Sequence, residues 1–264
     1  MIIRVLGCHG SELSVGGLHG VHECRTCGFL INDTVMLDAG TISSALLDTE
    51  QSKIRHVLVS HTHIDHIKAL PLLADNMAGF TEKGPIQVWS VPVVLEALRD
   101  HVFNDIIYPD FTCLPTAEDP VMVLKPLEEG TARTLDGYEV TAIPVNHIVP
   151  TVGFIIRDAE AALLYSGDTS ETRRIWETAR REPRLKAAFI ETSFPNELSE
   201  LAKTSGHLTP DMLGREWQKL GRPDIPIYIY HRKPPYRDLI AEELKRLDLP
   251  NINMLEEGQR IQVS

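Results

Sequence analysis

The apolar run His56 to Ser60 ends directly in His61-Thr62-His63-Ile64-Asp65-His66. Three imidazoles and a carboxylate delivered by the end of one buried strand leave few folds open. Side chains alternate along a strand, so His61 and His63 project the same way. Asp65 and His66 open the helix that follows and face a second point. This spacing serves two adjacent cations, and the donor types suit zinc, manganese or iron.

The same pattern recurs along the chain. Asp38 follows Val35-Met36-Leu37, His147 follows the run Thr141 to Asn146, Asp168 follows Ala162 to Gly167, and His231 follows Ile227 to Tyr230. In a sandwich whose strands end on one edge, these side chains converge there, held rigidly by the strands behind them.

The elements between them set the architecture. Strands are expected at Ile2 to Leu6, Gly28 to Ile31 and Thr34 to Leu37, with Asn32-Asp33 as a hairpin turn. A Gly- and His-rich loop fills the stretch to about Val21, and Thr41 to Asp48 has a helical pattern. Ile64 to Asn76 reads as a helix interrupted at Pro71. Ile86 to Ser90 (strand) and Pro92 to Val102 (helix) precede an irregular, aromatic-containing stretch from Asn104 to Pro120. Val121 to Leu124, Glu139 to Pro144, Gly153 to Arg157, Ala162 to Ser166, Ala187 to Ile190 and Ile227 to Tyr230 are strands; Glu171 to Arg180, Pro210 to Leu220 and Tyr236 to Leu247 are helices. Strands followed by strand–helix alternation, twice over, predict an α/β protein with two sheets face to face and helices outside, as one domain over 1–264.

Composition narrows the partners. The net charge of −11 opposes a phosphate backbone, so a small-molecule substrate is expected in preference to a long nucleic acid. No stretch reaches the roughly 18 apolar residues of a membrane span, and Met1 to Gly10 reads as a first strand; a soluble, cytoplasmic protein without a membrane partner is expected. Cys8, Cys24, Cys27 and Cys113 are expected as free thiols. Cys24 and Cys27 have structural-zinc spacing, which Cys8 or His9 would complete; His9, His19 and His22 are alternatively substrate contacts at a rim.

His61, His63, Asp65 and His66, together with Asp38, His147, Asp168 and His231, resemble the metallo-β-lactamase superfamily over nearly the whole chain. The resemblance implies a four-layer αββα sandwich and a dinuclear centre of two divalent metal ions. One ion is then held by His61, His63 and His147, the other by Asp65, His66 and His231. Asp168 bridges them, a hydroxide sits between, and Asp38 orients a ligand histidine from behind. Flavodiiron relatives carry a glutamate at the place of His63 and an added flavodoxin domain; this chain has neither, which favours hydrolysis over redox chemistry.

A second layer points to phosphodiesters. Glu191-Thr192-Ser193-Phe194 and Ser205-Gly206-His207-Leu208-Thr209 are similar to the glutamate and histidine motifs of the phosphodiesterase branch, which includes tRNA 3′-processing nucleases. Cleaving P–O needs a nucleophile and a proton for the departing alkoxide, and His207 held by Glu191 suits the second task. The run Phe103-Asn104-Asp105-Ile106-Ile107-Tyr108-Pro109-Asp110-Phe111, with Ile67, Leu70 and Gly206 to Pro210, is similar to class II cyclic-nucleotide phosphodiesterases. That resemblance implies hydrolysis of 3′,5′-cyclic AMP or GMP to the 5′-monophosphate, and a homodimer. Phe103, Asn104, Tyr108 and Asp110 are then expected against substrate, with Arg232 and Lys233 near phosphate. The competing readings are an RNA-processing nuclease, a general esterase or thioesterase, and a metal-bearing binding module.

Overall fold

A computed structural model describes residues 1–264 apart from 18, 19, 80–83, 248 and 250, and apart from the side chains of 15, 17 and 20–22. The chain order is β1 (Ile2–Gly7), β2 (Leu13–Gly17), β3 (Gly20–Cys24), β4 (Gly28–Ile31), β5 (Val35–Leu37), α1 (Asp48–Gln51), β6 (His56–Leu58), α2 (Ile64–Ile67), α3 (Ala69–Met77), β7 (Ile86–Ser90), α4 (Pro92–His101) and β8 (Met122–Pro126). The second half holds β9 (Ala132–Leu135), β10 (Tyr138–Pro144), β11 (Val152–Arg157), β12 (Ala162–Tyr165), α5 (Arg174–Arg180), β13 (Leu185–Glu191), α6 (Ser199–Ser205), α7 (Pro210–Leu220), β14 (Ile227–Tyr230), α8 (Arg237–Arg246), β15 (Ile252–Met254) and β16 (Arg260–Gln262).

Two seven-stranded sheets result, ordered β16-β1-β4-β5-β6-β7-β8 and β15-β14-β13-β12-β11-β10-β9. In the first, β16, β1, β4 and β5 are antiparallel neighbours and β5 to β8 run parallel. In the second, β12 to β15 run parallel and β9 to β12 antiparallel. Hence β5 and β6 share one direction, and β10, β12, β13 and β14 share another, so within each sheet the functional loops leave from a common edge.

The inner faces of the sheets meet through aromatic rings. Phe29 on β4 packs edge-on against Tyr165, Phe189 and Tyr230 of the opposite sheet, with centroids 5.8, 5.4 and 5.5 Å away. Edge-to-face contact sets the positive rim of one ring against the negative face of another, adding to the apolar burial. A second apolar layer lies outside the second sheet, where Trp176, Leu213, Trp217, Ile240 and Leu244 of α5, α7 and α8 pack on Leu164, Ile190 and Ile229. This is the αββα order.

Three local expectations are corrected. Residues 41–47 form turns rather than a helix, because Ala45 and Leu46 both donate to the Ile42 carbonyl and the chain then extends at Leu47; only Asp48–Gln51 is helical. The helix after the histidine cluster breaks at Lys68, not Pro71: the Ala69 amide donates to the Ala39 carbonyl at 2.8 Å, and Pro71 falls in the first turn of α3, where a missing N–H costs little. The stretch before Val21 carries the hairpin of β2 and β3 rather than loop alone, paired from Leu13↔Cys24 to Gly17↔Gly20. The turn at Asn32-Asp33 is as expected, both residues having positive φ, 43° and 63°.

Removing the ring that joins the sheets should be costly. Phe29→Ala is expected to lower unfolding stability by about 3–5 kcal/mol, read from the denaturant midpoint; a loss below about 1 kcal/mol would mean the inter-sheet aromatic contact is dispensable.

Candidate metal centre

Five of the candidate side chains sit just past a strand end, while His63, Asp65 and His66 lie at or in α2 and His207 follows α6. Asp38 follows β5, His61 follows β6, His147 follows β10, Asp168 follows β12, and His231 follows β14; Glu191 closes β13. Asp38 and His231 take left-handed backbone, φ 53° and 65°. For residues with a Cβ this is strained, and the sharp turn aims each side chain across the sheet edge.

The side chains of both halves converge. One donor atom each from His61, His63, His147 and Asp168 lies within 4.8 Å of the others. His231 Nε2 stands 3.2 Å from Asp65 Oδ2 and 3.2 Å from Asp168 Oδ2. His66 Nε2 is 3.3 Å from Asp168 Oδ2, and His61 Nε2 is 3.7 Å from it. All seven expected donors are therefore brought together. His61, His66, Asp168 and His231 are buried at the floor, and His63, Asp65 and His147 are half-buried at the mouth.

The outward ring nitrogens are occupied. His66 Nδ1 donates to Asp38 Oδ2 at 2.7 Å, His147 Nδ1 donates to the Gly206 carbonyl at 2.7 Å, and His231 Nδ1 lies 2.8 Å from Ser193 Oγ. His61 Nδ1 lies 3.0 Å from Ser60 Oγ. With a proton held on Nδ1, His61, His147 and His231 each turn a bare Nε2 lone pair toward the centre, and His66 does so once its second proton has left. Gly206 is required twice: its φ is 75°, and a Cβ there would lie 2.7 Å from His147 Nδ1.

Three of the inward atoms, His61 Nε2, His66 Nε2 and Asp168 Oδ1, are buried without a hydrogen-bond partner. His66 Nε2 and Asp168 Oδ2 are close but not aimed at each other; the donors face a shared point instead. Orphaned buried polar atoms cost roughly 1–3 kcal/mol each unless something satisfies them. A divalent cation does so, and the imidazole and carboxylate donors fit one.

Electrostatics agree. Burial alone would raise Asp168 and Asp65, but His231 and His66 outweigh it and hold both carboxyls well below the ordinary range. Burial and neighbouring imidazoles depress His61, whereas at His66 the carboxylates of Asp168 and Asp38 outweigh burial and raise it. A cation arriving there displaces the His66 proton, so binding weakens in acid.

Beside this cluster His207 Nδ1 donates to Glu191 Oε1 at 2.9 Å, and Ser193 Oγ donates to Glu191 Oε2 at 2.8 Å. Burial, helped by Asp168, pushes Glu191 up to about 8, and burial pulls His207 down. The pair therefore holds one proton near neutral pH.

Other expectations meet side chains committed elsewhere. Phe103 and Phe111 are core residues. Asn104 Oδ1 accepts from the Ile106 and Ile107 amides, Asp110 Oδ1 accepts from Thr112, and the Tyr108 hydroxyl donates to Asp75 at 3.4 Å. Asn104 and Asp110 brace their own loop, and Tyr108 reaches from it to α3. Arg232 is buried against the Leu255 carbonyl and Glu256, whereas Lys233 donates to the Gly10 carbonyl and bears on the charge of His207. His9 is buried against Glu257 at 2.7 Å rather than at a rim; His19 lies outside the described residues, as does the His22 side chain. All four cysteines are free thiols. Cys24 and Cys27 do not join in one donor group among the described residues: Cys27 groups with His66 and His231, Cys8 with His9 and Glu257. Sequence reading missed the parts played by Ser60, Tyr165 and Ser193, and it paired Cys27 with Cys24 rather than with His66 and His231. The two serines adjoin the motifs they serve, but a buried tyrosine looks like any core residue. Among the described residues no helix is long and apolar enough to cross a membrane.

The model of the beta-lactamase superfamily domain matches residues 33–228. The chain belongs to that superfamily, and its architecture is the metallo-β-lactamase fold. It is 26% identical over 224 residues to 3′,5′-cyclic-nucleotide phosphodiesterase 1 of Saccharomyces cerevisiae, covering 72% of this chain and 60% of that protein. It is 28% identical over 158 residues to ribonuclease Z of a Mycobacterium species, covering 55% of this chain and 52% of that protein. The chain thus matches just over half the length of these relatives. The structure of unliganded yeast PDE1 superposes with a TM-score of 0.81 at 20% identity, over 98% of both chains.

Two measurements bear on the centre. Asp38→Asn should weaken divalent-cation affinity about 10–100-fold in chelator competition, because the amide cannot accept from every donor that the carboxylate holds; unchanged affinity would remove Asp38 from the centre. In the metal-free protein Glu191 keeps its proton beyond the pH at which the unfolded chain loses it. Its contribution therefore favours the fold below about 4.5 and is lost as pH rises toward about 8. Glu191→Gln stays neutral throughout, so the wild-type melting temperature should fall relative to the variant across that window; parallel curves would contradict the buried carboxyl.

Proposed function

We propose that this chain is a metal-dependent phosphodiesterase acting on 3′,5′-cyclic nucleotides, cyclic AMP or GMP, to give 5′-monophosphates, and that residues 1–264 act as one domain. The observation that carries the reading is the Glu191–His207 pair, 2.9 Å apart, at the edge of the seven-donor cluster. A thioester hydrolase has no evident need for a buried acid–base pair there, because a thiolate leaves with less help than an alkoxide. Similarity to a cyclic-nucleotide phosphodiesterase and to ribonuclease Z supports phosphodiester chemistry from a second direction.

His61, His63 and His147 would hold one divalent ion and Asp65, His66 and His231 the other, with Asp168 between; zinc, manganese and iron all suit these donors. Ions there would supply the positive charge and Lewis acidity that attack on phosphorus requires. The protein's own groups do the rest. Asp38, Ser60, Ser193 and the Gly206 carbonyl fix the imidazoles in one tautomer and one orientation. Glu191 holds His207 through Nδ1; with the pair's one proton carried on the imidazole as imidazolium, its Nε2–H would pass to the departing 3′-oxygen, leaving a neutral ring with Nδ1–H still on Glu191. The Lys233 ammonium, tethered to Gly10, adds positive charge for the phosphate on the same side.

A second reading, an RNA-processing nuclease, is favoured by the likeness to ribonuclease Z, and the net charge of −11 weighs against it. A substrate panel with added zinc or manganese separates the two. Cyclic AMP or GMP should be opened, and His207→Ala should lower kcat about 10²–10⁴-fold. Inertness toward both cyclic nucleotides, with cleavage of a tRNA precursor at catalytic enzyme levels, would replace this reading with the nuclease.

A further inference from the structure

Cys27 lies at the entry to β4 and its side chain is fully buried. Its sulfur, one ring nitrogen of His66 and one of His231 all lie within 4.8 Å of one another, and all three residues are buried. His66 Nδ1 is taken by Asp38, and His66 Nε2 has no hydrogen-bond partner. The sulfur's hydrogen bond is a long one, 3.6 Å to the His9 carbonyl. A structural buried thiol ordinarily packs among aliphatic groups. This one has a ring nitrogen from each of two imidazoles within 4.8 Å.

We propose that Cys27 is a sulfur donor to the second cation position, joining Asp65, His66 and His231. The proposal rests on the reading of the cluster as a cation centre. Zinc–sulfur and zinc–nitrogen bonds put two donors on one ion at most about 4.4 Å apart. At the tetrahedral angle the same bonds put two donors about 3.6 Å apart, so Cys27, His66 and His231, within 4.8 Å of one another, would close inward on the ion. On binding, the S–H bond breaks, its proton leaves to solvent, and the sulfur lone pair goes to the ion. A thiolate is a soft ligand, so this position gains preference for zinc, cobalt or cadmium over manganese. Imidazole and carboxylate alone do not make that distinction so strongly. Cys27 thereby tunes which metal the protein keeps.

Cobalt(II) titrated into the full chain tests this without any activity measurement. The wild type should show a near-ultraviolet sulfur-to-cobalt charge-transfer band beside the visible cobalt bands. Cys27→Ser should lose that band, keep the visible bands, bind the second ion about tenfold more weakly, and lose its preference for zinc over manganese. Cys113→Ser, which alters the exposed thiol, should leave the spectrum intact. Visible bands without a charge-transfer band in the wild type would overturn the proposal alone, whether or not the Cys27 variant folds. Failure of the wild type to bind cobalt at all would overturn the cation centre with it.

Discussion

The carboxylate of Asp38 receives four donors: the Ser60 amide at 2.7 Å, the Ser60 hydroxyl at 2.8 Å, the Tyr165 hydroxyl at 2.5 Å and His66 Nδ1 at 2.7 Å. Those groups come from the end of β6, from β12 in the opposite sheet, and from the helix that opens at the histidine cluster. One buried side chain thus fixes the separation of the sheets and the orientation of a donor imidazole together. A buried carboxylate is tolerated because every lone pair is met, often by charge-assisted bonds. The strained backbone at residue 38 is the cost of aiming it inward, and the surrounding bonds hold it there.

A similar device serves the other half of the centre. Ser60 links His61 to Asp38, and Ser193 links His231 to Glu191. In both, a serine hydroxyl accepts from an imidazole and donates to a carboxylate that is itself buried. The two halves differ in what the carboxylate touches next. Asp38 meets a tyrosine and ends in the inter-sheet core, whereas Glu191 meets His207, so the second chain of bonds ends where a substrate would lie. One half is anchored in packing and the other opens onto chemistry.

Much of this was legible in the residue order. An imidazole or carboxylate after an apolar run marks a strand end, and His61, His147, Asp168 and His231 stand out that way; His63, Asp65 and His66 stand out by their spacing from His61. The αββα order followed from strand runs alternating with amphipathic helices. Less legible were features decided by tertiary competition. Thr41 to Asp48 has helical composition, but the Ile42 carbonyl captures two amides and ends the turn. The break at Lys68 comes from Ala39, whose carbonyl takes the amide of Ala69, thirty residues further on; nothing near Pro71 signals it. Asn104 and Asp110 sit in a recognisable motif, yet sequence cannot tell a polar group facing substrate from one closing its own turn. Cys27 was read by its spacing to Cys24, although its neighbours in space come from residues 66 and 231.

The donor cluster draws on residues spread from position 61 to position 231, and no segment of the unfolded chain brings both halves together. The short stretch 61–66 offers four donors, but the full set exists only once the two sheets have docked. A bound ion is therefore a cross-link between sheets as well as a reagent. It favours the folded chain by mass action, more strongly the further its concentration exceeds its dissociation constant. The last step of folding and the arming of the site become one event, and stripping the ions loosens the seam between the sheets at the place where the side chains face one another unpaired.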